Sequence, residues 1–108
     1  MEKDLELRTK RFALAVIKFT SLLPRTQLVR AATSIGANYR EAYRARSSAE
    51  FLSKMGDCLK ESEETGYWLE LIRAARLLTA TKLSALEKES GELTALFVAI
   101  IKSKRSGL

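Results

Sequence analysis

The sequence predicts an all-α protein, and three observations carry that prediction. One proline and five glycines are spread over 108 residues, which leaves little punctuation for the many short strands and turns of a β fold. Apolar positions recur at steps of three and four in four separate stretches, the period of a helix buried along one side. The breaks between those stretches are only a few residues long, as they are between antiparallel neighbours in a bundle. An up-down-up-down four-helix bundle follows, a single domain covering residues 1–108.

The first helix is expected over about residues 4–22, with Leu5, Phe12, Val16, Phe19 and Leu23 as its seam and Ala13, Ile17 and Thr20 beside them. Arg8, Arg11 and Lys18 point away from that seam. Pro24 has no amide hydrogen to contribute, so it ends the first helix and suits the first turn of the next.

The second helix is expected over residues 25–46, its seam formed by Leu28, Ala32, Ile35, Tyr39 and Ala42. At about 100° per residue, Arg30, Arg40 and Arg44 fall within a sector of roughly 80° on the opposite side. Gly36 costs about 1 kcal/mol of helix propensity relative to alanine. Close approach of a neighbouring helix would offset that cost.

Ser47-Ser48-Ala49-Glu50 matches a capping box, with Ser47 accepting from the Glu50 amide and the Glu50 side chain reaching back. The third helix therefore starts there and is expected to run over residues 48–78. Leu52, Met55, Leu59, Ser62, Gly66 and Leu69 form one seam, while Trp68, Leu71, Ala75 and Leu78 form a second ridge roughly opposite. One ridge fills the core, and the other is left over. A leftover ridge containing tryptophan and leucine points to a subunit interface, so Trp68, Leu71, Ala75 and Leu78 are the expected oligomer contacts.

The fourth helix is expected over residues 82–102, with Leu83, Leu86, Ser90, Leu93, Phe97 and Ile100 repeating three-four-three and Gly91 a weak point on its polar side. The basic tail 103–108 is expected to fray.

Charge is sorted along the chain. The net charge is +6, but from Leu7 to Ser47 nine basic residues face one acid, whereas from Ser48 to Ile72 two basic residues face six acids. Such asymmetry serves a polyanionic partner or holds copies of the chain together. Arginine predominates on the second helix, and its planar fork pairs with phosphate oxygens. Tyr43 beside Arg44 adds a ring on which an unpaired base can stack.

Chemistry is harder to find. Histidine is absent, which removes the commonest general base at neutral pH. Glu61 and Glu64 lie three apart on one helix, but the carboxylate metal sites of bundles need a histidine three residues after a glutamate. Cys58, the single cysteine, sits beside Asp57 with no partner base, which raises a thiol pKa. No catalytic residue, metal ligand or cofactor site is expected, and the chain reads as a non-enzyme. A lone cysteine and the lack of an N-terminal apolar run before a cleavage site suggest the cytoplasm. No apolar run is long enough to span a bilayer, and the apolar faces are wanted by the core, so a membrane partner is not expected.

The run Ala32-Thr33-Ser34-Ile35-Gly36-Ala37-Asn38-Tyr39-Arg40-Glu41-Ala42, then Arg46-Ser47 and Glu50-Phe51, then Lys60-Glu61-Ser62-Glu63-Glu64-Thr65 and Tyr67-Trp68-Leu69, resembles a bacterial four-helix-bundle family. Its members include proteins encoded within intervening sequences of 23S ribosomal RNA genes. The resemblance covers nearly the whole chain and implies a small cytosolic bundle that associates into a ring-shaped homopentamer. The accessory proteins of diversity-generating retroelements look like distant relatives, and those engage a reverse transcriptase and nucleic acid. The family offers no agreed catalytic residues.

Two functions stay open. In the first, a non-enzymatic homo-oligomer binds RNA or DNA through Arg30, Arg40 and Arg44, helped by Lys10, Arg11, Lys18 and the tail. In the second, the assembly is a scaffold or accessory subunit for a protein partner, and nucleic acid is incidental.

Overall fold

The computed structural model describes residues 2–19 and 25–107, with side chains for residues 4–17 and 26–107. Four helices account for nearly all of them: α1 (Glu2–Phe19), α2 (Arg25–Tyr43), α3 (Ser48–Ala75) and α4 (Ala80–Arg105). Each packs on the next in order and α4 returns to α1, giving a bundle of 43 × 20 × 20 Å. Cross-helix pairs run in opposite order along the chain, as in Arg30 with Glu61 against Glu41 with Lys54. Consecutive helices are therefore antiparallel. The corner containing Thr20, Leu22, Leu23 and Pro24 lies outside the described residues.

One hydrocarbon core runs the length of the bundle. Leu5, Phe12 and Val16 of α1, the whole expected seam of α2, and Leu83, Leu86, Leu93 and Phe97 of α4 are buried in it. Tyr39 and Phe97 meet as tilted rings 6.5 Å apart, joining the diagonal pair α2 and α4. Burial of a side chain the size of Phe97 is worth roughly 2–3 kcal/mol. Thr9 is also buried, between Leu5 and Phe12, and bonds to the Glu6 carbonyl at 2.9 Å. Its polarity hides it from a search for apolar residues, although the helical period passes through it.

Two seams shift. On α3 the most buried positions are Met55, Cys58, Ser62, Thr65, Leu69 and Ile72. Leu52, Leu59 and Gly66 are only half-buried. The two ridges read from the sequence are thus the flanks of one broad face, because α3 lies between α2 and α4 and must contact both. On α4 the seam ends at Ile101, with Ile100 beside it. Eighteen residues at about 100° each make five full turns, so a nearly straight helix brings Ile101 back to the direction of Leu83.

The helix ends follow local chemistry. Ser47 caps α3 with extended backbone and accepts the Glu50 amide at 3.1 Å, which is the first half of the capping box. An extended Ser47 cannot continue α2, so α2 stops at Tyr43 instead of residue 46 and the chain turns through residues 44–46. At the other end of α3, Arg76 takes φ 58°, its amide bonds to Arg73, and the Leu77 amide bonds to Ile72. This 6→1 and 5→2 pairing is a Schellman stop with arginine where glycine is usual, and it ends α3 three residues earlier than expected. The helix α4 runs on through Arg105, because Lys102, Lys104 and Arg105 face its negative end. Lys104 also sits over the Phe51 ring, 5.7 Å from its centroid.

Gly36 has the neighbour its position demands. A Cβ there would lie 3.1 Å from Thr9 Oγ1 and 3.5 Å from Thr9 Cβ. Helices α1 and α2 therefore cross closely at this point. Nothing lies within 4 Å of a Cβ built at Gly91, and Gly66 is nearly as open, at 3.9 Å from Ser90 Oγ. Across α3 and α4 the approach is instead marked by Ser62 and Thr94, whose hydroxyls are 2.6 Å apart.

Candidate functional site

The outer face of α2 divides along its length. Arg30 leans toward α3, where Nη1 donates to Glu61 at 3.2 Å, Nη2 donates to Glu64, and Nε donates to Gln27 at 3.1 Å. The hydrogen bond from Arg30 holds the Glu64 carboxyl below its ordinary pKa, with the Trp68 indole N–H adding to the effect, and the same bond raises Arg30. Arg30 is thus neutralised within its own chain. The acids Glu61 and Glu64 are satisfied by the same contact.

Arg40 leans the other way, with Nε 3.5 Å from a Glu6 carboxylate oxygen on α1 and most of the side chain in solvent. Arg44 is exposed and makes no ion pair among the described residues. A hollow of about 280 Å³ is lined by Glu6, Arg40, Tyr43 and Arg44, and Tyr43 is 55% exposed. Beside it, a groove of about 230 Å³ runs over Gly36 between α1 and α2, with Lys10 and Arg40 on its two sides. Lys10, Arg40, Arg44 and an open aromatic ring therefore share one surface.

Not every expected cation is shown to join them. Arg11 turns to the far side of α1, into a groove shared with α4. The side chain of Lys18 lies outside the described residues. The basic residues of the tail extend the end of α4.

Of the expected interface residues, Trp68 and Leu78 are half-buried against the chain's own core, Leu71 is half-buried, and Ala75 is exposed. The Trp68 indole N–H points to Glu64 at 3.5 Å, and its ring meets Tyr67 edge-on at 5.7 Å. The open large apolar side chains among the described residues lie elsewhere: Leu7, Leu14 and Ile17 on α1, Tyr43 on α2, Tyr67 on α3 and Val98 on α4. Leu7 and Leu14 stand seven residues apart on the side away from the α1 seam. That spacing was visible in the sequence.

Ion pairs lace every adjacent pair of helices. Arg8 Nη2 holds Glu89 at 2.8 Å and Glu92 at 3.1 Å, and Arg73 holds Glu87 at 2.6 Å. Cys58 is buried, 3.7 Å from the Ile35 carbonyl, and its thiol is pushed up to about 12 by burial first and by Asp57 second. It lies in the hydrocarbon core. Among the described residues, no group of carboxylates and thiols is arranged to hold a metal ion, and no helix is long and apolar enough to cross a membrane.

Fold and surface together define a small antiparallel four-helix bundle whose neighbouring helices are tied by ion pairs. The chain belongs to the family of the 23S rRNA-intervening sequence protein, whose family model matches residues 4–99. A crystal structure from Bacteroides thetaiotaomicron VPI-5482, described as a protein with unknown function from the S23 ribosomal protein family, superposes with a TM-score of 0.87. It is 32% identical over 94% of this chain and 97% of that one. No match is found among curated proteins.

Proposed function

We propose that this chain is a non-enzymatic cytoplasmic homo-oligomer that binds RNA or DNA through phosphate contacts from Lys10, Arg40 and Arg44. The observation that carries this reading is the grouping of those cations with the exposed Tyr43 ring on the α1/α2 face. Cations track a phosphate backbone, and an open ring accepts an unpaired base. Arg30 has no part in it, because its guanidinium is already paired. The subunit number, five, comes from the family resemblance, and a ring multiplies each weak contact by its copies.

Binding of a fluorescent single-stranded RNA across a salt series tests this. Removing one cation–phosphate pair lowers the log-log salt slope by about 0.7. Arg40→Ala with Arg44→Ala is expected to flatten the slope by more than one unit, while Arg30→Ala leaves it unchanged. A flat response for the unaltered protein would refute nucleic-acid binding.

The exposure of Leu7 and Leu14 favours a second reading, a scaffold or accessory subunit for a protein partner such as a reverse transcriptase. Nuclease-resistant capture of one host protein, together with a flat salt response, would favour it.

A further inference from the structure

Glu6 stands where a carboxylate is out of place for a surface that only tracks phosphate. It lines both openings of the α1/α2 face, the groove over Gly36 and the hollow beside Tyr43, and among the described residues it is the one acid in either lining. A negative charge there repels a phosphate that Lys10, Arg40 and Arg44 attract.

Tying α1 to α2 does not account for the residue either. Its carboxylate meets Arg40 Nε at 3.5 Å, with the two side chains 40% and 58% exposed, whereas Arg8 and Arg73 grip their acids at 2.8 and 2.6 Å. An exposed pair at that distance contributes little to stability. Among the described residues no hydrogen bond reaches the Glu6 carboxylate, so its acceptor sites are open to a ligand.

Open acceptors suit a base edge that carries donors. Guanine alone sets two donors side by side on its Watson–Crick edge, the N1–H and the 2-amino group, and a carboxylate accepts both at once, one on each oxygen. Adenine and cytosine place a ring-nitrogen acceptor beside the amino group, and uracil flanks its N–H with two carbonyls. Each of these sets an acceptor against the second carboxylate oxygen. The platform for the base is Tyr43, whose exposed ring borders the same hollow and offers a stacking face to any base.

We infer that Glu6 reads the base: an unpaired guanine stacks on Tyr43, its N1–H and 2-amino group donate to the two Glu6 carboxylate oxygens, and the phosphates beside it meet Arg44, Arg40 and Lys10. This rests on the nucleic-acid binding proposed above and adds a base preference to it. Glu6 opposes the backbone of every strand and is offset only by guanine, which is how a residue confers specificity by penalising the wrong partner. A paired guanine already gives both donors to cytosine, so the site takes single strands.

The contact is tested with a short uridine RNA carrying one central guanosine, compared with the same RNA carrying uridine or inosine there. Guanosine is expected to bind about tenfold tighter than uridine, within the discrimination that one bidentate base contact gives. Inosine, which lacks only the 2-amino group, is expected to bind about threefold weaker than guanosine, a comparison that needs no variant to fold. In Glu6→Gln the guanosine advantage shrinks to about twofold, while the all-uridine strand binds more tightly because a like charge has left its phosphates. Partial unfolding would weaken both strands together, so the ratio isolates the base contact. Guanosine monophosphate is expected to displace the RNA only far above the RNA's own concentration; displacement near it would give the pocket to a free nucleotide and overturn the strand. Salt-dependent binding with equal affinity for guanosine and uridine strands, or an unchanged ratio in Glu6→Gln, overturns the base contact alone. Failure of every strand to bind overturns the reading on which it rests.

Discussion

Replacing Gly36 with alanine separates helix propensity from packing in a single residue. Alanine is worth about 1 kcal/mol more than glycine inside a helix, and at an open position that gain is realised. Gly56 is such a position, with nothing within 4 Å of the point a Cβ would occupy. At Gly36 the same methyl arrives 3.1 Å from Thr9 Oγ1. Thr9 cannot swing away cheaply, since it is buried and its hydroxyl is bonded to Glu6 O at 2.9 Å. Overpacking of this kind costs about 1–3 kcal/mol. Gly36→Ala is therefore expected to be neutral or to destabilise by up to about 2 kcal/mol, while Gly56→Ala stabilises by up to about 1 kcal/mol. At roughly 4–8 °C per kcal/mol, the two melting temperatures should differ by about 10 °C in circular dichroism at matched protein concentration. Thr9→Ala combined with Gly36→Ala removes the clashing oxygen, so the double-mutant cycle should show a favourable coupling of about 1 kcal/mol. Equal stabilisation by Gly36→Ala and Gly56→Ala would refute a close α1/α2 crossing at this level.

Arg76→Gly is expected to stabilise the fold by about 0.5–1 kcal/mol, because glycine occupies the left-handed region without the steric cost arginine bears there; urea unfolding of the two proteins measures it. Cys58, buried and with its thiol at about 12, should react with a thiol reagent at pH 8 only as fast as the protein opens, and at once in denaturant. Acid should weaken the α2/α3 seam. Arg30 depresses the Glu64 carboxyl, so its contribution is present above the unfolded carboxylate pKa of about 4.3 and is lost as pH falls through the lower folded value. Exposure limits that contribution to about 1 kcal/mol or less. Glu64→Gln should accordingly show a shallower loss of melting temperature between pH 5 and pH 3.

The helices were legible because each carries its own instructions. Steps of three and four mark Leu28 to Ala42 and Leu83 to Phe97 as buried faces, Ser47 announces the start of α3, and the motif around Gly36 and Trp68 identifies the family. Gly36 even disclosed a close neighbour, since an interior glycine needs compensation. These are local rules, and local rules survive in a sequence. What the sequence could not assign was where each side chain's partner comes from. Arg30, Arg40 and Arg44 lie on one stripe of an isolated helix, yet in the bundle Arg30 turns to the acids of α3 and Arg40 to Glu6 of α1, because α2 has a helix on each side. The two ridges of α3 likewise became the flanks of one face once both of its neighbours were in place. The groove over Phe12 and Leu86 exists only between two helices more than sixty residues apart in the chain. Periodicity fixes which way a side chain points from its own axis; only packing decides what stands opposite it.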